Sequence, residues 1–311
     1  MRETAGSILQ TPSDEGVLVL SGPSFQNQKM PTYHVTRSTL IRKPENEIMA
    51  VLRDFHQWPA WSPWLIMEPE ATLEYNGPSG EPGSGYSWSG KLVGAGSMQL
   101  EAATENHLDM NLQFFKPFKS QAQVCFDLTP DEEFTKVTWH MTGRLPFFMS
   151  FMMKKMRAMI GMDYDRGLSM LKDYVETGIV RSRVLTGGIT PILPQEYVGL
   201  KNECHLNELD DIRVRDFGRL QNLFDDNNIS TGSAPFTIHQ HLNMESGIIS
   251  LVSALPVMNH IKVEAPFFTD KLAASSALKV THTGHYEHLG NAWSTAMSII
   301  IAVDQAFPRC S

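Results

Sequence analysis

The sequence predicts an α+β protein built from two successive domains, and three observations lead to this prediction. A chain of 311 residues is longer than one ordinary hydrophobic core supports and suits two domains. Residues 71–145 contain a run of short alternating segments separated by turn residues, followed by a long amphipathic stretch. The second half repeats the order strand, helix and strands, with βαββ character.

Composition and charge exclude several classes of function. Apolar residues make up 42% and charged residues 19% of the chain, which is typical of a globular protein. The net charge of −8 argues against a nucleic-acid partner, because such binding depends on neutralising phosphates. No apolar run approaches the roughly 18 residues of a membrane helix, and no signal peptide is visible, so no membrane partner is predicted. Three scattered cysteines indicate reduced thiols and a cytoplasmic location.

The first half has one strand and one short helix before its meander. Residues 1–32 form an irregular extension, and a strand is predicted over Tyr33–Ile41. Pro44 then opens a short helix, since proline is tolerated at the first helical position. Six further strands are predicted between residues 71 and 142, and a helix of about 30 residues runs from Phe147 to Thr177.

The second half begins after a predicted linker, residues 179–196, that contains two glycines and two prolines. The predicted elements are a strand, a helix, two strands, a strand and a helix: Tyr197–Cys204, Asp210–Asn227, Phe236–His241, Ile248–Val257, Ala277–Thr283 and Leu289–Ala302. We therefore expect two βαββ-like units, of which the second lacks its final strands before Ser311.

The first half resembles the START-like SRPBCC superfamily, in particular its polyketide cyclase/dehydrase-type members. The resemblance covers residues 33–178 and rests on the order of elements and on the turn Trp58-Pro-Ala-Trp61-Ser-Pro-Trp64. It implies a helix-grip fold, in which a curved antiparallel sheet surrounds a long C-terminal helix and leaves an apolar cavity between them.

The second half, residues 197–311, resembles the GyrI-like or AraC-type effector-binding domain. The segments that carry this resemblance are Ala234–His239 and Val280–Trp293, the latter with the pattern His-x-Gly-x-Tyr-x-x-Leu-x-x-Ala-Trp. The resemblance implies a groove that binds planar, often cationic compounds. His239 stands where the family usually has tyrosine, and the closing strand with its acidic residue has no counterpart.

Two ligand-binding sites are predicted. Aromatic side chains offer a large apolar face, and an indole adds one N–H donor, so both suit the lining of a ligand site. The resemblance implies Tyr286, Trp293 and His239 in the groove. The alternating apolar faces of the strands predict the following lining for the helix-grip cavity: Trp61, Trp88, Leu112, Phe114, Trp139 and Met141.

No metal ion, cofactor or catalytic residue is predicted. His282, His285 and His288 recur every three residues, but a strand end, a glycine turn and a helix start scatter their side chains. No cysteine or carboxylate completes a recognisable ligand spacing. Glu245 and Glu287, like Glu264, lie in turns that offer no apolar burial to raise a carboxyl pKa for proton transfer.

Three functional hypotheses follow from these patterns. The first is a cytoplasmic protein that senses or sequesters hydrophobic or amphipathic small molecules. The second is an enzyme acting on a hydrophobic small molecule, either a hydrolase or a cyclase/dehydratase. A weaker third is the effector module of a transcription regulator. The sequence leaves open whether the protein is an enzyme.

Overall fold

We analysed a computed structural model that describes residues 31–144 and 147–306. The predicted N-terminal extension falls outside this part of the chain, apart from its last two residues. None of the described helices is long and apolar enough to cross a membrane.

The first region contains a seven-stranded antiparallel sheet with the order β1-β7-β6-β5-β4-β3-β2. Alternating burial, as in Leu108, Met110 and Leu112, places one apolar face of the sheet inward. The strands are β1 (Thr32–Ile41), β2 (Thr72–Asn76), β3 (Gly85–Ser89), β4 (Ala95–Ala103), β5 (His107–Lys116), β6 (Ser120–Asp131) and β7 (Phe134–Arg144).

Two short helices and the tryptophan-rich turn connect β1 to β2. Helix α1 (Glu45–Arg53) buries Ile48 and Leu52, and a 3-10 turn follows from Phe55 to Ala60. The Asp54 carboxylate accepts a hydrogen bond from the His56 backbone N–H and so caps that turn. Helix α2 (Pro63–Met67) begins with proline at its first position.

The long helix α3 (Met153–Thr177) lies on the inner face of the sheet after a 3-10 turn over Phe147–Met152. It ends at Gly178, whose φ of +80° is the left-handed conformation that favours glycine. Gly167 faces the Trp139 ring so closely that a Cβ would lie 2.8 Å from it. The predicted curved sheet and covering helix are therefore confirmed as a helix-grip arrangement.

The second region has two smaller sheets. The four-stranded sheet has the order β10-β11-β9-β12, and β13 pairs with β8 in a two-stranded sheet. Strand β9, helix α4 and strands β10 and β11 form one βαββ unit. The elements are β8 (Ser182–Ile192), β9 (Gln195–His205), α4 (Leu209–Asp226), β10 (Phe236–Asn243), β11 (Ile248–Val257), β12 (Phe268–Leu272), β13 (Ser275–Gly284) and α5 (Gly290–Ala306).

The predicted linker is not an irregular segment, because β8 occupies most of it. Its glycines and prolines predict a loop. In the structure Gly188 has a φ of +68° and lies in β8 at a register shift opposite Lys279 and Val280. A β-bulge accommodates such a residue without ending the strand. Strand β12 was also not predicted. Because Leu272 pairs with Gln195 and Ser275 with Ile192, β8–β9 and β12–β13 form one continuous antiparallel ribbon.

Helix α5 presents polar side chains inward and apolar side chains outward. Asn291 and Thr295 are each 2% exposed, whereas Met297 is 53% exposed. Arg166 of α3 donates hydrogen bonds to Asn291 Oδ1 at 2.8 Å and to Ser294 Oγ at 3.0 Å. The contact between the two regions is therefore largely polar at this helix.

Candidate functional site

An aromatic cluster lies between α3 and the sheet. The Trp139 ring stacks on Tyr164 with centroids 3.9 Å apart and on Phe126 at 4.9 Å. Trp61 lies edge-on to Trp139 at 5.8 Å, and Trp58 lies 4.8 Å from Trp61. Centroid separations of this size are typical of favourable aromatic pairs.

Three hydrogen-bond donors in this cluster are buried and have no partner within residues 31–144 and 147–306: Trp61 Nε1, Trp139 Nε1 and Tyr164 Oη. The other indoles of the region have hydrogen-bond partners. Trp58 Nε1 donates to the Leu52 carbonyl at 3.0 Å, and Trp64 Nε1 donates to Asp163 Oδ2 at 3.2 Å. An unpaired buried donor costs about 1–3 kcal/mol, so three on adjoining rings are a feature that needs an explanation.

The Tyr164 hydroxyl remains a donor at any physiological pH. Burial raises its pKa well above the ordinary tyrosine value, and the charge of nearby Asp163 acts in the same direction. Tyr33, whose hydroxyl lies 3.7 Å from Met141 Sδ, also has a raised pKa because it is buried. The interior of the helix-grip region is therefore an apolar environment with neutral donors.

The six residues predicted to line a cavity all lie on this inner face. Trp61, Trp139, Leu112 and Met141 are buried in the main core, and Trp88 and Phe114 are partly buried with ring centroids 6.0 Å apart. All six belong to the hydrophobic cluster of the first region or pack against it. The grooves lined by Arg53 and Gly80, and by Glu196 and His260, involve none of the six. Ligand lining by these residues stays a prediction.

One end of the sheet carries exposed apolar side chains. Phe118, at the tip of the β5–β6 hairpin, is 72% exposed, and Phe151, just before α3, is 79% exposed. The register places Phe118 near the end where β7 finishes at Arg144, and Phe151 follows Arg144 by seven residues along the chain. The first two turns of α3 contribute only partly buried side chains to the core, namely Met153, Met156 and Ile160.

The second region brings its three predicted site residues together. The His239 ring stacks on Trp293 with centroids 4.7 Å apart and an interplanar angle of 11°. The Arg213 guanidinium lies over the Tyr286 ring, 5.0 Å from its centroid. Tyr286 and Trp293 are half-exposed. Burial and then the charge of Arg213 lower the pKa of His239, which favours the neutral imidazole.

Sequence reasoning missed Tyr164 and Arg213 as site residues. Tyr164 was recognised only as part of the helical apolar pattern, and nothing in that pattern shows that its hydroxyl lacks a partner. Arg213 lies on α4, far along the chain from Tyr286. Only the structure shows that Arg213 Nε is buried without a partner among the described residues.

One protein-family model matches the first region. Residues 32–176 match the model of the family described as polyketide cyclase / dehydrase and lipid transport, which is of the SRPBCC type. The match ends at the C-terminal turn of α3 and does not extend into the second region.

Solved structures align with slightly less than half of this chain. Ara h 8.0201 is 11% identical over 47% of this chain and 98% of its own, with a TM-score of 0.35. CV1439 from Chromobacterium violaceum is 10% identical over 46% and 96%, with a TM-score of 0.36. The Aha1 dimer from Colwellia psychrerythraea is 16% identical over 47% and 98%, with a TM-score of 0.34. No curated protein matches the chain.

Proposed function

We propose that this protein binds a hydrophobic small molecule in the helix-grip region, at the aromatic cluster under α3. The observation that carries the proposal is the group of three unpaired donors, Trp61 Nε1, Trp139 Nε1 and Tyr164 Oη, on adjoining buried rings. A ligand with an apolar body and a hydrogen-bond acceptor would satisfy donors that the protein leaves unpaired. The description of the matching family, which includes lipid transport, supports the same class of ligand.

The ligand would enter at the end of the sheet where Phe118 and Phe151 are exposed. Methionine side chains repack readily, so Met153 and Met156 on the first half of α3 would move aside at low cost. Trp88 and Phe114 lie between this end and the deeper donors and would line the route. Binding therefore requires α3 to shift away from the sheet at its first turns.

The test compares two probes of the same shape, 9-fluorenone and fluorene, which differ in one carbonyl acceptor. One hydrogen bond is worth about 1 kcal/mol, so we expect fluorenone to bind roughly fivefold more tightly in equilibrium dialysis. Tyr164→Phe should reduce this preference, whereas Tyr174→Phe on the same helix should keep it, because the Tyr174 hydroxyl already lies 3.4 Å from Gln57. Equal binding of both probes, or the same preference in both variants, would contradict the proposal.

A second binding function is favoured by the meeting of His239, Tyr286 and Trp293 in the second region. We infer that this region is a GyrI-like effector-binding groove, supported by its βαββ unit and by these half-exposed rings. The guanidinium of Arg213 beside Tyr286 favours planar anions over planar cations at this place.

This second proposal is tested with 2-naphthoate and acridinium. Their binding is followed by the quenching of Trp293 fluorescence, since Trp293 is the exposed tryptophan of the described residues. Arg213→Gln should weaken naphthoate binding by about tenfold, consistent with the loss of a charged hydrogen-bond donor. Arg219→Gln is the matched control, since Arg219 lies over Phe267 on another part of α4's surface. Tighter binding of acridinium in the parent protein would contradict the anion preference.

A further inference from the structure

We propose that Asp173, His285 and Glu287 bind one divalent transition-metal ion of the zinc class, and that this ion joins α3 to the segment between β13 and α5. Each of the three residues offers one ligand atom, and these atoms all lie within 4.8 Å of one another. Asp173 comes from the helix of the first region, whereas His285 and Glu287 belong to the second.

The spacing of the His285 and Glu287 donors matches that of a metal centre. His285 Nδ1 lies 3.5 Å from Glu287 Oε1. In a tetrahedral zinc site with bonds of about 2.0–2.2 Å, two ligand atoms lie roughly 3.3–3.6 Å apart. The donor set of one imidazole and two carboxylates suits zinc and its neighbours, and three protein ligands leave a further position for water.

A buried histidine holds the Asp173 carboxylate in place. His288 Nε2 lies 2.8 Å from Asp173 Oδ2, and the side chain of His288 is only 1% exposed. Because one carboxylate oxygen is fixed by this hydrogen bond, the orientation of the whole group is fixed. Outer partners of this kind position metal ligands and strengthen metal binding.

The backbone also fixes the two ligands of the second region. The His285 N–H donates to the Arg181 carbonyl at 2.8 Å, and the His288 N–H donates to the His285 carbonyl at 3.1 Å. His285 and Glu287 therefore lie on one 3-10 turn whose start is tied to the chain just before β8. Their side chains are 56% and 55% exposed, so an ion can reach them from solvent.

The three histidines that recur every three residues, His282, His285 and His288, thus have different roles. His285 is a ligand, His288 orients the carboxylate of Asp173, and His282 lies against Ser182 Oγ at 3.1 Å. No carboxylate at a recognisable ligand spacing from these histidines is visible in the sequence. In the structure Asp173 of α3 supplies one. A sequence spacing cannot show this ligand.

The experiment titrates Zn²⁺ into the metal-stripped full chain by isothermal titration calorimetry. We expect one ion per chain with micromolar or tighter affinity. His285→Ala and Glu287→Gln should each weaken binding by at least about tenfold. Both side chains are exposed, so these variants keep the fold. The matched controls are His241→Ala and Glu245→Gln, two exposed residues of the second region, which should change the affinity by less than about twofold.

A second readout reports on coordination and on the link between regions. Co²⁺ bound in place of zinc should give the visible absorption of a tetrahedral site, and Zn²⁺ should raise the Tm of the parent chain but not that of His285→Ala. Absence of saturable binding, or equal affinity in the parent and both ligand variants, would overturn the proposal. Loss of binding in His241→Ala would assign the ion to surface histidines and overturn it as well. None of these results depends on the probes of the proposed ligand sites.

Discussion

The two regions of the molecule build their cores differently. The first has one continuous core that contains five of the six tryptophans, with Trp58, Trp61 and Trp139 almost fully buried. The second divides its buried apolar residues among three small clusters, centred on Leu220, Tyr197 and Leu251. Its one tryptophan, Trp293, is half-exposed. Because stability follows the apolar area removed from water, the first region should fold with little help from the second.

The second region depends more strongly on its neighbour. Helix α5 turns Asn291 and Thr295 inward and leaves Met297 and Ile300 in solvent. On its inward face Asn291 accepts a hydrogen bond from Arg166, and the Asp173–His288 pair lies just before its first residue. Polar contacts of this kind fix an arrangement but supply less net free energy than apolar burial, so their loss should separate the regions.

The largest expected effect comes from removing the ring at the centre of the first core. Trp139→Ala should lower the free energy of unfolding by about 3–5 kcal/mol, because it deletes a buried ring that contacts Trp61, Phe126 and Tyr164. Trp293→Ala should cost about 1 kcal/mol or less, since that ring is half-exposed. Urea denaturation followed by circular dichroism measures both, and similar losses would abolish the contrast between the cores.

A smaller effect is expected at the contact between the regions. His288→Gln should cost about 2–3 kcal/mol, because it breaks a buried hydrogen-bonded pair and leaves Asp173 without its partner. Loss of this contact should make the second region unfold at lower urea than the first. His285→Gln in metal-free buffer is the control and should change stability by less than about 0.5 kcal/mol. A single unshifted transition in His288→Gln would show that other contacts hold the regions together.

One of the three unpaired donors of the first core, the Tyr164 hydroxyl, predicts a gain in stability. Tyr164→Phe removes a buried hydroxyl that has no partner while keeping the ring stacked on Trp139. We expect the free energy of unfolding to rise by about 1 kcal/mol, since an unsatisfied polar group is removed at nearly constant volume. Thermal denaturation checks this, and Tyr174→Phe should give no gain. A loss of stability would mean that the hydroxyl has a partner in solution.

The smallest expected effect is a pH dependence on the outer face of the first sheet. His107 Nδ1 lies 2.6 Å from Asp127 Oδ1, and this hydrogen bond is the main reason that the pKa of His107 is raised, with Asp109 adding to it. A raised pKa in the folded state stabilises the protein fully below about pH 6.5, and the contribution disappears as pH rises through the folded value.

His107→Gln should therefore remove a few tenths of a kcal/mol below pH 6.5 and almost nothing at pH 9, because a third of the side chain is exposed and the pair is screened. Urea midpoints of both proteins at the two pH values measure this. A difference that grows toward high pH would contradict the assignment.

Local periodicity predicted most of the elements. Alternation along Leu108, Met110 and Leu112 predicted β5, and the helical pattern ending at Gly178 predicted α3. The same reasoning failed at β8, because Gly188 and Pro191 are typical of loops and only the bulge and the pairing with β13 show how a strand contains them. Strand pairing between distant segments leaves little trace in a local pattern.

The candidate sites were predicted less completely than the fold. Residue type and alternation indicated that Trp61 and Trp139 are interior, but they could not show that the two rings lie edge-on at 5.8 Å. Hydrogen-bond satisfaction depends on tertiary contacts, so the unpaired Tyr164 hydroxyl is invisible in the sequence. The meeting of His239 with Trp293 was implied by family resemblance, whereas Arg213 became visible only through its position over Tyr286.

The ribbon formed by β8–β9 and β12–β13 has a consequence for synthesis on the ribosome. The first sheet is complete once β7 and α3 have emerged, at Thr177, but β8 ends at Ile192 and its partner begins only at Ser275, a delay of 275 − 192 = 83 residues. At translation rates of about 5–20 residues per second, this delay lasts roughly 4–17 s. During that time β8 offers a free strand edge, with Ile189 among its apolar side chains. Self-association of nascent chains should therefore be concentrated in this interval, and slower synthesis would lengthen it.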